Sequence, residues 1–448
     1  METTAPNSLD ILNDLVARAK KSGATGADAV MFESTDISCS CRKGKPESIE
    51  RAESAGLGLR VFVGDRQAIV SSSDTREKAL AELVERAVSM AKISPEDPFA
   101  ALATPDMFAR NIPELDLYDG DEPSAEWLAE ACRQTEEAAV SVKGIMNSEG
   151  AEAGYSSNRI ALVTSNGFAH SYPTSSFALS VSVIAGEGKN MERDYDYSAS
   201  RHRADLKSPE AIGAKAAANA LARMNPRKAK SCQVPLIFDP KISKGLVGVF
   251  SGAISGASVA RGTTFLKDAM GSEIFAPGIT ITDDPHRVRA MGSRPFDAEG
   301  VANTRRNLVE NGILQCWLLD IRSANKLGLK SMGDAARGTA SPPMPSTSNL
   351  YMAAGSISPE AMIAEIKDGF YVTETFGSGS NIITGDVSVG AAGFWIENGV
   401  KAYPVSEITI AGNLKDMYKR LIPANDLEFR YSTNAPTVRI DGMTVAGT

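Results

Sequence analysis

The segment Gly390–Met417, GAAGFWIENGVKAYPVSEITIAGNLKDM, constrains the fold more than any other stretch of this chain. It opens on small residues, Gly390 to Gly393, that leave no side chains in the way of a neighbour. The apolar pair Phe394-Trp395 follows, and then Glu397-Asn398-Gly399-Val400. Asn-Gly between apolar runs predicts a tight β-hairpin, because both turn residues need positive φ. A second β-run, Val405–Ile410, ends at Gly412-Asn413. The segment reads as a glycine-punctuated hairpin without a helix. Val309-Glu310-Asn311-Gly312-Ile313-Leu314 repeats the Asn-Gly signal, and no longer repeat accompanies it.

The other end of the chain mixes both periodicities. Ser8 is placed to cap a helix with Leu9, Leu12, Val16 and Ala19 at helical spacing, stopped by Gly23. Short β-runs follow at 29–32, 37–41, 47–53, 58–63 and 67–71. Asp74 with Glu77 has the pattern of a capping box for a helix reaching about Lys92. Prolines 95, 98, 105, 113 and 123 mark a connector, after which Ser124 opens another helix. Residues 147–200 alternate as a β-meander, and Ser208-Pro209-Glu210 starts an alanine-rich helix. The polar, basic link between Asn225-Pro226 and Pro235 sets a domain boundary near 230. Beyond it come a strand at 236–238, a glycine- and alanine-rich helix around 241–257, and a second helix at 264–270. Ser341–Ser358, rich in proline and serine, reads as a long loop.

Composition narrows the function. At 448 residues the chain exceeds one ordinary core, so two domains are expected. No apolar run approaches the ~20 residues of a membrane span. METTAPNSLD has neither the basic nor the apolar region of a secretory signal, which makes the cytoplasm the expected location. A net charge of −8 with only short basic clusters argues against nucleic acid as a partner. Cys39-x-Cys41 puts two thiols on one strand face but lacks the spacing and second pair of a structural zinc site. Cys132, Cys232 and Cys316 read as small core residues.

Catalytic templates match weakly. Asp283-Asp284-Pro285-His286 groups two carboxylates with a histidine, yet proline breaks any helical register, and a local turn is the reading. His170 and His202 read as ordinary polar residues. Ser323-x-x-Lys326 fits a serine–lysine nucleophile, but Ser40-x-x-Lys43 and Ser89-x-x-Lys92 fit as well. Gly377-Ser378-Gly379 precedes no helix and reads as a bend. Asp297 and Glu299 share a strand face and suggest acid–base work. Gly252, Ala253, Gly256 and Ala257 form a smooth helix face. That face either packs tightly within its own domain or meets a partner or an enclosed channel.

Several motifs together resemble the PmbA (TldE) branch of the TldD/PmbA family. They are Gly252-Ala253-Ile254-Ser255-Gly256, Pro295-Phe296-Asp297 with Glu299-Gly300-Val301, Lys326–Ser331, and Thr384-Gly385-Asp386 with the hairpin above. The resemblance is dense from about 235 to 420. It implies a subunit of a heterodimeric peptidase. The TldD-type subunit of such an enzyme carries His-Glu, three residues, then His on a helix, with a distant cysteine, and binds one zinc. The zinc activates water and the glutamate acts as base. In this chain Ser251 and Gly256 stand at the histidine positions and Gly252 at the glutamate position, and no cysteine follows Asp426.

The reading is an α+β chain of two domains. Residues 1–230 pair an antiparallel sheet with amphipathic helices, and residues 231–448 form a β-rich domain with a buried small-residue helix. By resemblance the chain has no catalytic or metal residues and no cofactor of its own. It acts with a zinc-holding TldD-type partner on unfolded peptides, engaged through exposed strand edges. The alternative is a non-enzymatic peptide-binding or DNA gyrase-modulating protein.

Overall fold

The computed structural model describes residues 7–377 and 379–447. The first six residues, which carry most of the signal-peptide argument, and Ser378 of the expected bend lie outside them.

The N-terminal half is built on a single six-stranded sheet. Its strands are β1 (Gly26–Arg42), β2 (Lys45–Val63), β3 (Arg66–Ser72), β4 (Ile145–Thr164), β5 (Ala169–Ala185) and β6 (Glu192–Ser200). The order is β3-β2-β1-β4-β5-β6, antiparallel throughout. The short runs read from sequence fuse into long strands. The polar residues that interrupt them, such as Glu33 and Asp36 on β1, stay in register across the ladder.

The helices of this half are α1 (Ser8–Lys21), α2 (Glu77–Ile93), α3 (Ala125–Val140) and α4 (Pro209–Ala222). Period-2 alternation puts all of them on one sheet face. Ala27, Ala29 and Met31 of β1 pack with Leu12 and Leu15 of α1 and Leu83 of α2. Ile37, Cys39 and Cys41, further along the same face, pack with Leu128 and Cys132 of α3 and Ile212 and Ala216 of α4. The Cys39/Cys41 thiols are therefore core atoms. On the opposite face Asp28 and Val30 are covered by the C-terminal half, whereas Asp36 and Ser38 are exposed.

Caps differ in part from expectation. Ser124 and Ser208 cap α3 and α4 as read. Asn7, not Ser8, caps α1, and the Ser8 hydroxyl instead donates to Glu33. The Asp74/Glu77 box does not form. Asp74 accepts from Arg76 N, and Glu77 pairs with Arg18 of α1.

The C-terminal half begins with β7 (Cys232–Phe238), α5 (Pro240–Ala253) and α6 (Gly256–Arg261). The single helix expected over 241–257 is thus two, broken where Ile254 leaves helical geometry and Gly256 N turns to donate to Leu318 O. Residues 264–270 form turns, not a helix. Short strands β8 (Ile281–Asp283), β9 (Arg306–Glu310) and β10 (Ile313–Leu314) follow, then α7 (Ile321–Leu327), β11 (Ala335–Ala336), β12 (Met344–Pro345) and β13 (Leu350–Met352). The stretch expected as a long loop therefore contains two strands, one of which joins β8. The chain continues through α8 (Pro359–Ala364), β14 (Asp368–Phe376), β15 (Asp386–Glu397), β16 (Val400–Asn413), α9 (Leu414–Arg420), β17 (Leu421–Pro423), β18 (Thr433–Asn434) and β19 (Val438–Ala446).

Strands β16-β15-β14-β7-β19 are paired in that order, and β16 pairs again with β19, so this sheet closes into a barrel. Closure removes the free edges of the ring. The hairpin read from Asn398-Gly399 is β15–β16, with both turn residues at positive φ. It does lead into a helix, because Asn413 accepts from Lys415 N and caps α9. The barrel core holds Leu236, Phe250, Val372 and Tyr418. Among the described residues no helix is long and apolar enough to cross a membrane.

Candidate functional site

A cleft of about 880 Å³ lies between the two halves. One wall is β6, the last strand of the N-terminal sheet, with α4 beside it. The other is the start of α5, the barrel residues Tyr371 and Lys401, and the loop from Asp426 to Thr437. Alternation along β6 buries Asp194, Asp196 and Ser198 and turns Arg193, Tyr195 and Tyr197 outward.

The outward edge of β6 is not open for strand pairing. Asn219 of α4 donates to Tyr195 O, and Arg430 donates to Tyr197 O at 2.8 Å. The Tyr195 amide donates to Asp194 Oδ1 at 2.8 Å. Side chains thus occupy backbone groups that an added strand would need, a common protection of sheet edges. What the cleft offers instead is rings and charges. Tyr195 stacks on Tyr197 with centroids 6.3 Å apart, and Tyr197 meets Tyr431 at 5.9 Å. Lys244 Nζ sits 3.1 Å from the Tyr431 centroid, and Lys401 Nζ 3.2 Å from that of Tyr371. Burial, with Arg430 nearby, pushes the Lys244 ammonium below its ordinary pKa.

A second cluster lies where the halves touch. Asp28 of β1 binds Arg60 of β2 and Arg337 of the C-terminal half. Burial opposes its ionisation, but the two guanidiniums hold it below the usual carboxylate range. Glu299 Oε1 lies 3.7 Å from Arg60, and its Oε2 accepts from Ile321 N. Asp297 accepts from Glu299 N, Val301 N and Ala335 N. Burial pushes Asp297 up to about 6 and Glu299 up to about 8. Both carboxyls are almost fully buried at the junction and brace its turns. The acid–base reading of this pair has no accessible face to act on.

The other residues singled out from sequence are placed as follows. Ser323 is buried at the start of α7, and its hydroxyl donates to Asp320, the cap of that helix. Lys326 is exposed, and no serine–lysine pair forms. His286 Nε2 lies 2.8 Å from Asn303 Oδ1, and Asp284 accepts from His286 N, the turn expected there. His202 meets Asp116, and His170 packs against Phe168 and Phe296. Ala253 is core, and Gly256 is held against Leu318, Leu319 and Ser323 of its own chain. Ala257 is buried, whereas Gly252 faces open space.

The resemblance puts the zinc ligands and base of a TldD-type subunit at Ser251, Gly252 and Gly256. Neither glycine has a side chain, and the Ser251 hydroxyl donates to Gly248 O at 2.7 Å. These positions do not fit a zinc ion. Among the described residues no group of three or more His, Cys, Asp or Glu side chains is arranged to hold a metal.

Comparison with known proteins places this geometry. Residues 231–447 match the PmbA/TldA metallopeptidase C-terminal domain, 27–91 its domain 1 and 118–224 its central domain. The chain belongs to the PmbA/TldD metallopeptidase family. It is 39% identical over 424 residues to Metalloprotease PmbA of Escherichia coli O157:H7, covering 94% of this chain and 92% of that protein. It is 36% identical over 437 residues to the Metalloprotease PmbA homolog of Haemophilus influenzae, covering 96% and 94%. A crystal structure from Bacteroides thetaiotaomicron, of a protein described as a candidate modulator of DNA gyrase, superposes with a TM-score of 0.90 at 27% identity. It covers 98% of each chain. TldE from Thermococcus kodakarensis shares the fold, with a TM-score of 0.86 at 24% identity over 98% of this chain and 100% of that one. Of the PmbA/TldD motifs read from sequence, the hairpin is the β15–β16 pair of the barrel, and Asp297 with Glu299 lies buried at the junction of the halves. The cleft was not among the sites read from sequence. Its one sequence signal was the alternation Arg193-Asp194-Tyr195-Asp196-Tyr197, which puts two aromatics and a cation on one strand face.

Proposed function

We propose that this chain is the PmbA/TldE-type subunit of a heterodimeric, zinc-dependent peptidase that cleaves unfolded peptides in the cytoplasm, with a TldD-type partner holding the metal. One observation carries the reading: a fold shared with relatives named metalloproteases has Ser251, Gly252 and Gly256 at the positions where a ligand set and base are expected. This chain then contributes binding and enclosure rather than the hydrolytic step. The interdomain cleft, with its tyrosine rings and lysines, is the surface it offers to an extended chain. Pairing along β6 would first require Arg430 and Asn219 to leave the edge, so side-chain contacts with the peptide dominate. Gly252, the outward member of the small-residue set, is the position at which a partner or channel wall would come closest.

The test is reconstitution. The purified chain, a TldD-type subunit, and their mixture are assayed on an unfolded peptide with and without chelator. Cleavage that needs both chains and is lost on chelation supports the reading. Equal cleavage by this chain alone overturns it. The name of the Bacteroides structure motivates a second reading, a gyrase-modulating protein. A change in DNA supercoiling on adding this chain to gyrase, without any peptide cleavage in the mixture, would favour it.

A further inference from the structure

The cleft is electrostatically lopsided. Most of its carboxylates are already engaged by the protein. Asp194 and Glu374 lie on Arg223, and Asp196 on Arg430. Asp239 accepts from Lys241 N and from the Tyr371 hydroxyl, each at 3.1 Å. Asp426 accepts from both the amide and the hydroxyl of Thr437. Glu360, at the start of α8, and Glu428 are the two exposed exceptions. The lysines are in the opposite condition. Among the described residues, none of Lys207, Lys215, Lys241, Lys244 and Lys401 lies within 4.0 Å of a carboxylate oxygen.

Their placement adds to the imbalance. Lys241 and Lys244 are three residues apart, on one face of the first turns of α5. A helix N-terminus carries partial positive charge and disfavours cations, and α5 has no acid in its first turn to compensate beyond the capping Asp239. Lys244 is half-buried, with an aromatic ring as its nearest partner and Arg430 close enough to disfavour its charge. Each of these terms is relieved by an anion arriving from outside. The ligand must also suit the row of Tyr195, Tyr197 and Tyr431 rings, whose spacing fits the flat peptide groups and side chains of an extended polypeptide.

We propose that the cleft selects acidic segments of an extended polypeptide, with ligand carboxylates docking on Lys244 and Lys401 while the chain lies along the Tyr195–Tyr197–Tyr431 rings. The proposal rests on the peptide-binding reading above and adds to it a substrate class.

Binding of labelled peptides to the purified full chain, without any partner, tests it by fluorescence anisotropy. The probes are a peptide of alternating Glu and Gly, its Gln/Gly and Lys/Gly counterparts, and a single-stranded oligothymidylate. The Glu peptide should bind tightest and weaken as salt is raised. Lys244→Gln and Lys401→Gln should each weaken it about tenfold, the size of one charge-assisted hydrogen bond, and leave the Gln peptide unchanged. Lys244→Arg, which keeps the charge, should retain most of the binding. Equal affinity for the Glu and Gln peptides overturns the proposal, as does a Glu peptide indifferent to both lysine changes. Tighter binding of the oligothymidylate would assign the cleft to phosphates instead. Because no cleavage is measured, these failures leave the two-subunit peptidase reading to its own assay.

Discussion

Replacing Gly256 by leucine tests directly whether the small-residue segment serves the chain's own core. A Cβ at Gly256 would press on Leu319 and come within 2.8 Å of Leu318 O and 2.9 Å of Ser323 Oγ. The leucine methyl could swing aside, but the Leu318 carbonyl could not. It is fixed by the 2.7 Å hydrogen bond from Gly256 N that breaks the helix. Overpacking of this kind costs ~1–3 kcal/mol. For a domain of roughly 150–250 residues, near the size of the C-terminal half, that converts at about 2–4 °C per kcal/mol to a fall of about 2–12 °C in Tm. Gly252→Ala is the matched control. Nothing lies within 4 Å of a Cβ there, and alanine is a better helix former by up to ~1 kcal/mol. The Tm of the isolated chain should therefore fall for Gly256→Leu and hold or rise for Gly252→Ala, as read by differential scanning fluorimetry. An unchanged Tm for Gly256→Leu, or a fall for Gly252→Ala, would refute the packing argument.

Other consequences follow from the junction and the missing ligands. Glu299, raised to about 8 from an ordinary 4.5, binds more protons folded than unfolded between those values. Its contribution to stability is therefore present at low pH and is lost as pH rises through the window. Glu299→Gln keeps an acceptor for Ile321 N, so denaturant titrations at pH 5 and 8.5 should show a smaller difference for the variant than for the parent. Asp28→Asn removes the carboxylate that neutralises Arg60 and Arg337, both buried, and should destabilise by about 3–5 kcal/mol in urea unfolding, the penalty for a broken buried pair. Elemental analysis of the purified chain should find zinc well below one equivalent; a full equivalent surviving gel filtration would mean that a site not formed by Ser251, Gly252 and Gly256 holds it.

The sequence disclosed local rules better than long-range ones. Asn398-Gly399 and Asn311-Gly312 adopt positive φ because only the two-residue turn fits between their strands, and this is written in adjacent residues. Ser124 and Ser208 capped as read for the same reason. Ser8 failed as a cap because Glu33, far along the chain, claims its hydroxyl, and Asp74 because Arg76 does. The length of β1 was hidden because polar residues such as Glu33 and Asp36 look like loop until the partners across the ladder are known. The helix over 241–257 looked continuous because its break is imposed from outside by Leu318. Beyond the alternation at 193–197, the cleft was hidden for a similar reason. Tyr195, Lys244, Lys401 and Tyr431 are scattered over both halves, and only the packing of the barrel against β6 and α4 brings them together.

The central claim, that this chain completes a peptidase whose metal belongs to another subunit, is tested most directly by one reconstitution. Equimolar chain and TldD-type subunit are mixed, zinc per complex is measured on the gel-filtered species, and cleavage of an unfolded peptide is followed in the same fraction. The account predicts a mixed complex with one zinc for the pair and chelator-sensitive cleavage that neither subunit achieves alone. Two zincs per pair, or full cleavage by either subunit without the other, would contradict it.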